Sequence, residues 1–104
     1  MTVTPQAGLA DIITTGGIAV QAIPALPNGG VITNPLLAGD QGISVAEVLY
    51  VDPVGSCGGL SLPAGNGTVF ALQPGQTWTV IPGQSTPTYV NAASSGHLFS
   101  VVRW

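Results

Sequence analysis

Apolar residues in this chain recur in short runs that alternate with polar or small residues, and each run is cut by glycine or proline. In Gly17-Ile18-Ala19-Val20-Gln21-Ala22-Ile23, the residues Ile18, Val20 and Ala22 share one face and Ala19, Gln21 and Ile23 the other, the two-residue period of a strand. Pro24 ends it. Pro27-Asn28-Gly29-Gly30 reads as a turn, Val31-Ile32-Thr33 as a short strand closed by Asn34-Pro35, and Leu36 to Gly42 as a loop. The clearest alternation is Ile43 to Asp52, with Val45, Glu47, Leu49 and Val51 against Ala46, Val48 and Tyr50. Asp52-Pro53-Val54-Gly55 is a turn with proline at its second position. Thr68 to Leu72, Thr77 to Ile81 with Trp78 and Val80 on one face, Thr86 to Asn91, and His97 to Trp104 are further strands. The turns Gln73-Pro74-Gly75-Gln76, Pro82-Gly83-Gln84-Ser85 and Ala92 to Gly96 separate them.

Fifteen glycines and nine prolines leave no stretch long enough for a sustained helical period. Seven or eight short strands with turn signals every ~8–12 residues predict an all-β fold, an antiparallel β-sandwich of jelly-roll or other Greek-key type. Residues 17–104 are read as one domain and residues 1–16 as an extended N-terminal arm, with Leu9, Ile12 and Ile13 as candidate interface residues. The last strand is apolar on both faces, which predicts that it is pinned inside a sheet or an interface. Trp104 at its end is a further candidate contact.

Charge changes the picture. Only 5% of the chain is charged, against about 25% in ordinary domains. There is no lysine, and Asp11, Asp40, Glu47, Asp52 and Arg103 are the whole set. Such low charge favours association over repulsion, so much of the surface is expected to be covered by other subunits. One arginine cannot neutralise a run of phosphates, so no nucleic-acid partner is expected. No apolar run reaches the ~18–20 residues of a spanning helix, and no membrane partner is expected. The N-terminus shows neither a basic nor an apolar leader region, which predicts synthesis in the cytoplasm without export.

Candidate chemistry is sparse. Cys57 and His97 are single and 40 positions apart, so no metal site and no cofactor is expected. No Gly-x-Ser-x-Gly elbow is present, and Glu47 and Asp52, five residues apart, are expected on opposite faces of a strand, so catalytic residues are expected to be absent. His97 is instead expected to anchor the start of the last strand through a backbone hydrogen bond. Glu47 and Arg103 each sit in an apolar strand. Glu47 either faces solvent at a sheet edge or is buried and needs a partner, and Arg103 is the one cation, so the two are the candidate structural ion pair.

Three stretches carry a resemblance: Ala46 to Pro53, Gly67 to Trp78 with its Leu72-Gln73-Pro74-Gly75-Gln76 turn, and Tyr89 to Trp104 with Ser95-Gly96-His97-Leu98-Phe99 opening the final strand. Together they resemble the small head decoration, or cement, proteins of tailed bacteriophages, over residues 43–104 and more loosely 17–42. The resemblance implies a non-enzymatic virion protein, made in the host cytoplasm. It would bind the outside of the assembled capsid, clamp neighbouring major capsid proteins and self-associate as a dimer or trimer. The rival expectation is a carbohydrate- or receptor-binding β-module of a phage fibre or spike, using exposed aromatic residues.

Overall fold

The computed structural model describes residues 11–25, 27–54 and 69–104. Nine strand segments and a single helical turn are present among them: β1 (Ile12–Ile13), β2 (Val20–Ile23), β3 (Gly30–Thr33), α1 (Ala38–Gln41), β4 (Leu49–Asp52), β5 (Phe70–Leu72), β6 (Thr77–Val80), β7 (Thr88–Asn91), β8 (His97–Leu98) and β9 (Ser100–Arg103). Every ladder is antiparallel. One sheet has the order β2-β7-β4-β5; β6-β3-β9 and β1-β8 form the other two ladders.

β8 and β9 behave as one strand interrupted at Phe99. From His97 to Trp104 the side chains alternate between the interior and solvent without a slip in phase, with His97 and Phe99 buried and Leu98, Ser100, Val102 and Trp104 exposed. The backbone N–H of Phe99 donates to Asp11 O at 3.1 Å, so it leaves β3 for β1 at that point. Joining the two segments gives a four-stranded sheet, β1-β8/β9-β3-β6, facing β2-β7-β4-β5. That strand order is a jelly roll, the first of the two sandwich types expected.

The core lies between the sheets. Ala22, Ile23, Leu49, Val51, Leu72 and Val90 from one meet Ile13, Ile32, Val80 and Phe99 from the other, all buried. Phe70 and Trp78 stack across the gap, ring centroids 4.6 Å apart. The sheets approach closely at Gly30, where an added Cβ would stand 2.6 Å from Ile23 Cδ1 in the facing sheet and 2.8 Å from Val102 O of the adjoining strand. A side chain there would push the sheets apart.

Several expected boundaries move. Residues 11–16 are not an arm: Ile12 pairs with Leu98 and Ile13 with His97, and Ile13 is fully buried in the chain's own core, so it is no intersubunit contact. Ile12 is half-buried on the opposite face of β1, and Leu9 lies outside the described residues. The strand expected from Ile43 ladders only from Leu49, because side chains occupy the backbone of Glu47 in place of a neighbouring strand. The loop at 36–42 contains α1, stopped by Gly42 at φ 73°, a conformation glycine adopts without a Cβ clash. The last strand is pinned between β1 and β3 as expected, yet it is buried on its inner face only, and its largely apolar outer face is exposed.

Gly30→Ala is expected to lower stability by about 1–3 kcal/mol through overpacking, measured as a shift in urea midpoint. Trimming Ile23 to valine in that background is expected to restore only part of the loss, since the contact with Val102 O remains.

Candidate functional site

Chemistry-bearing side chains gather at one end of the sandwich, around Asn34. Asn34 closes β3, and its backbone continues the β3-β6 ladder: its N–H donates to Gln76 O at 3.0 Å and its C=O accepts from Gly75 N at 2.7 Å. Its side chain is fully buried and points across to the other sheet. Nδ2 donates to Glu47 O and Leu72 O, both at 2.9 Å. Oδ1 accepts from Gln41 Nε2 at 3.1 Å and faces His97 Nε2 at 2.9 Å. Two carbonyl partners on Nδ2 fix which end of the amide is which, since carbonyls only accept.

α1 exists to deliver Gln41. Gln41 Oε1 accepts from Glu47 N at 2.8 Å, while Nε2 reaches Pro35 O at 2.7 Å and Glu47 O at 3.2 Å as well as Asn34. Two buried amides thereby satisfy the backbone of a segment that has no strand partner.

This network sets the state of His97. Asn34 Oδ1 can only accept, so Nε2 carries the proton and Nδ1 of the neutral ring does not. Nδ1 is buried without a hydrogen-bond partner among the described residues. Burial holds the ring below its ordinary pKa of 6.5, and the negative charge of Glu47 opposes that in part. His97 does anchor the start of the last strand, but through a side-chain amide and not through the backbone contact expected.

Glu47 and Arg103 have other partners than each other. Glu47 Oε1 accepts from Ser94 Oγ at 2.6 Å, and its Oε2 is buried without a hydrogen bond among the described residues. Arg103 lies on the inner face of β9, where Nε donates to Ala22 O in β2 at 2.7 Å, a second link between the sheets. Partial burial holds the Arg103 guanidinium below its ordinary pKa, and the negative charge of Asp11 opposes that in part. β9 ladders with β3, whereas Glu47 precedes β4 and lies in no ladder among the described residues, so the strand pairing expected of these two residues does not occur.

The arrangement is poorly set up for group transfer. Ser94 gives its proton to Glu47, and His97 gives its Nε2 proton to Asn34, so His97 is not positioned as a base on that serine. Asp52, fully buried, accepts from Val54 N at 3.0 Å in the turn after β4. No cluster of three metal-ligating side chains occurs among the described residues. Cys57 lies outside them.

The outer face of the β1-β8/β9-β3-β6 sheet has the opposite character. Alternation places Ile12, Leu98, Val31, Val102, Thr79 and Trp104 on it, with hydroxyl residues between and no charged side chain. Val102 is 56% and Trp104 62% exposed. The Trp104 indole lies against Gly29 and, with Thr79, Val80 and Pro82, borders a groove of about 290 Å³. Periodicity could not mark Asn34, whose partners Leu72 and His97 lie far along the chain, or Gln41, whose bonds to Pro35 and Glu47 close a loop without a strand period.

Comparison with models of known protein families, with characterised proteins and with solved structures yields no match.

Asn34→Ala is expected to cost of order 3 kcal/mol, since it strands Leu72 O, part of Glu47 O and the His97 ring in the interior. Chemical denaturation measures it. Acid should also destabilise the fold through His97. Its folded pKa lies below 6.5, so the unfolded chain takes up the proton first. Stability from this residue is therefore complete above that pH and declines as pH falls through the folded value. Urea midpoints at about pH 7.5 and about pH 5.5 are expected to differ for the wild type and to converge in His97→Gln.

Proposed function

We propose that this protein is a non-catalytic structural module that binds an assembled protein shell, as the decoration proteins of phage capsids do. The observation that carries the reading is the charge-free, partly apolar outer face of the β1-β8/β9-β3-β6 sheet. The outward face of a solvated antiparallel sheet is ordinarily polar. Here it presents Val102, Trp104 and Leu98 with threonine and serine between them, and a face of this kind fits contact with protein. The polar residues that might have served chemistry are spent instead on holding the two sheets together.

Each contact of such a face can be weak. A shell offers many equivalent sites, and a protein that binds the assembled lattice but not free subunits stabilises the lattice by mass action. Leu36, Leu37 and Val45 around α1 are also exposed and form a second candidate contact region. Of the expected N-terminal arm, residues 11–13 belong to the fold and residues 1–10 lie outside the described residues.

The chain is expected to co-sediment with assembled shells of the phage that encodes it, to raise their melting temperature, and to leave free capsid subunits in the supernatant. Val102→Glu, on the exposed face, should abolish pelleting with the fold intact. Equal pelleting by the variant would remove the face from the proposal. Failure of the wild type to pellet, together with quenching of Trp104 fluorescence by sugars, would favour a carbohydrate-binding module.

A further inference from the structure

We propose that the protein forms a two-fold dimer in solution by pairing the β6 edge of one copy with the β6 edge of a second, joining their sheets into one. This does not depend on the shell-binding proposal. It rests on the way the four edges of the sandwich differ.

A free edge invites another strand unless something blocks it. Among the described residues, three of the four edges are poorly suited to pairing. β1 is two residues long. β2 shifts register between Gln21 and Ile23 and runs into Pro24. β5 has three residues. β6 is the exception: four residues in unbroken register with β3, without a charge, a proline or a bulge.

The direction of its free backbone groups follows from the ladder. Asn34 N donates to Gln76 O, which makes 34 and 76 a hydrogen-bonded pair, and alternation makes Ile32 with Trp78 and Gly30 with Val80 the next ones. Trp104 N bonds Gly29 O, so residues 29, 31 and 33 of β3 serve β9, in agreement. The N–H and C=O groups of Thr77 and Thr79 therefore point away from β3, out of the sheet edge. An antiparallel copy of β6 with its Thr77 opposite Thr79 satisfies them symmetrically, as a two-fold interface requires.

The surroundings favour a second copy as the occupant. Apolar side chains flank this edge, with Phe70 45% exposed beside Trp78 and Ile81 66% exposed just after β6. A groove of about 440 Å³ runs along it between Val54 and Ile81. The exposed acid Asp11 sits beside β1 at the far edge of the same sheet, and Asp40 lies on α1, which packs against β8. Two copies of this acidic chain can thus approach edge to edge with those charges kept apart.

Sedimentation equilibrium of the isolated chain is expected to give a dimer, and amide hydrogen exchange to show Thr77 and Thr79 protected in proportion to the dimer present. Thr79→Lys places a charge on the edge, and Thr79→Pro removes an outward N–H that β3 does not use. Each is expected to weaken dimerisation by at least about tenfold, with far-ultraviolet circular dichroism unchanged. A monomeric wild type, a trimer, or a dimer that persists in well-folded Thr79→Lys overturns the proposal. If Thr79→Pro misfolds, Thr79→Lys and the exchange pattern decide it.

Discussion

The fold depends on a single side-chain amide. Asn34 spends both backbone groups on the β3-β6 connection and both side-chain atoms on the opposite sheet, α1 and His97. A jelly roll of this size has a thin core, and strands of two to four residues contribute few ladder bonds each. At the end of the sandwich where β4 begins, Glu47 has no neighbouring strand to pair with, and its buried backbone would carry a desolvation cost. Gln41 and Asn34 remove that cost. At the far end of β3 the Arg103 side chain reaches Ala22 O in the other sheet, and Gly30 lets the sheets approach. Polar links at the two ends with apolar packing between them hold the layers in register.

That arrangement also explains where the charge has gone. The one cation is turned inward to β2, and Glu47 is half-buried against Ser94. Both could have served solubility on an outer face, and the fold uses them inside. What is left outside the four-stranded sheet is hydroxyl, aliphatic and indole surface. A rigid backbone beneath that surface lowers the ordering cost of binding, since little must be fixed when a partner arrives.

Local order was legible in the sequence and long-range partnership was not. The two-residue period over Thr77 to Ile81 and His97 to Trp104 marked both as strands and put Trp78 and Val80 on one face, because side-chain direction in a strand is set by the pleat alone. The same period over Ile43 to Asp52 overshot by six residues: Val45 and Ala46 alternate properly but are exposed, and the ladder begins at Leu49. Periodicity cannot report that the backbone of Glu47 is held by the side chains of residues 34 and 41. Glu47, Arg103 and His97 stood out as rare polar groups in apolar strands, and all three are structurally engaged. The pairing of Glu47 with Arg103 was argued from charge alone, whereas Glu47 precedes β4 and is held by Ser94 while Arg103 reaches Ala22 O. Ile13 was mistaken for surface for a related reason, since a two-residue strand has too little pattern to register.

Edge chemistry and face chemistry bear on each other. If β6 pairs across a two-fold axis, the charge-free outer faces of two copies become one continuous surface of about twice the area, with the Trp104 groove repeated on either side of the axis. A single face of four short strands is small beside the roughly 800 Å² per partner of a stable interface. Doubling it brings the surface toward that range without adding a residue. Edge pairing also restricts the relative orientation of the two faces, so a dimer presents its contacts at a fixed spacing. A repeating protein lattice rewards fixed spacing, because the second contact is then made at high effective concentration. Under the two proposals together, the β6 edge sets the geometry and the charge-free adjoining face supplies the attraction.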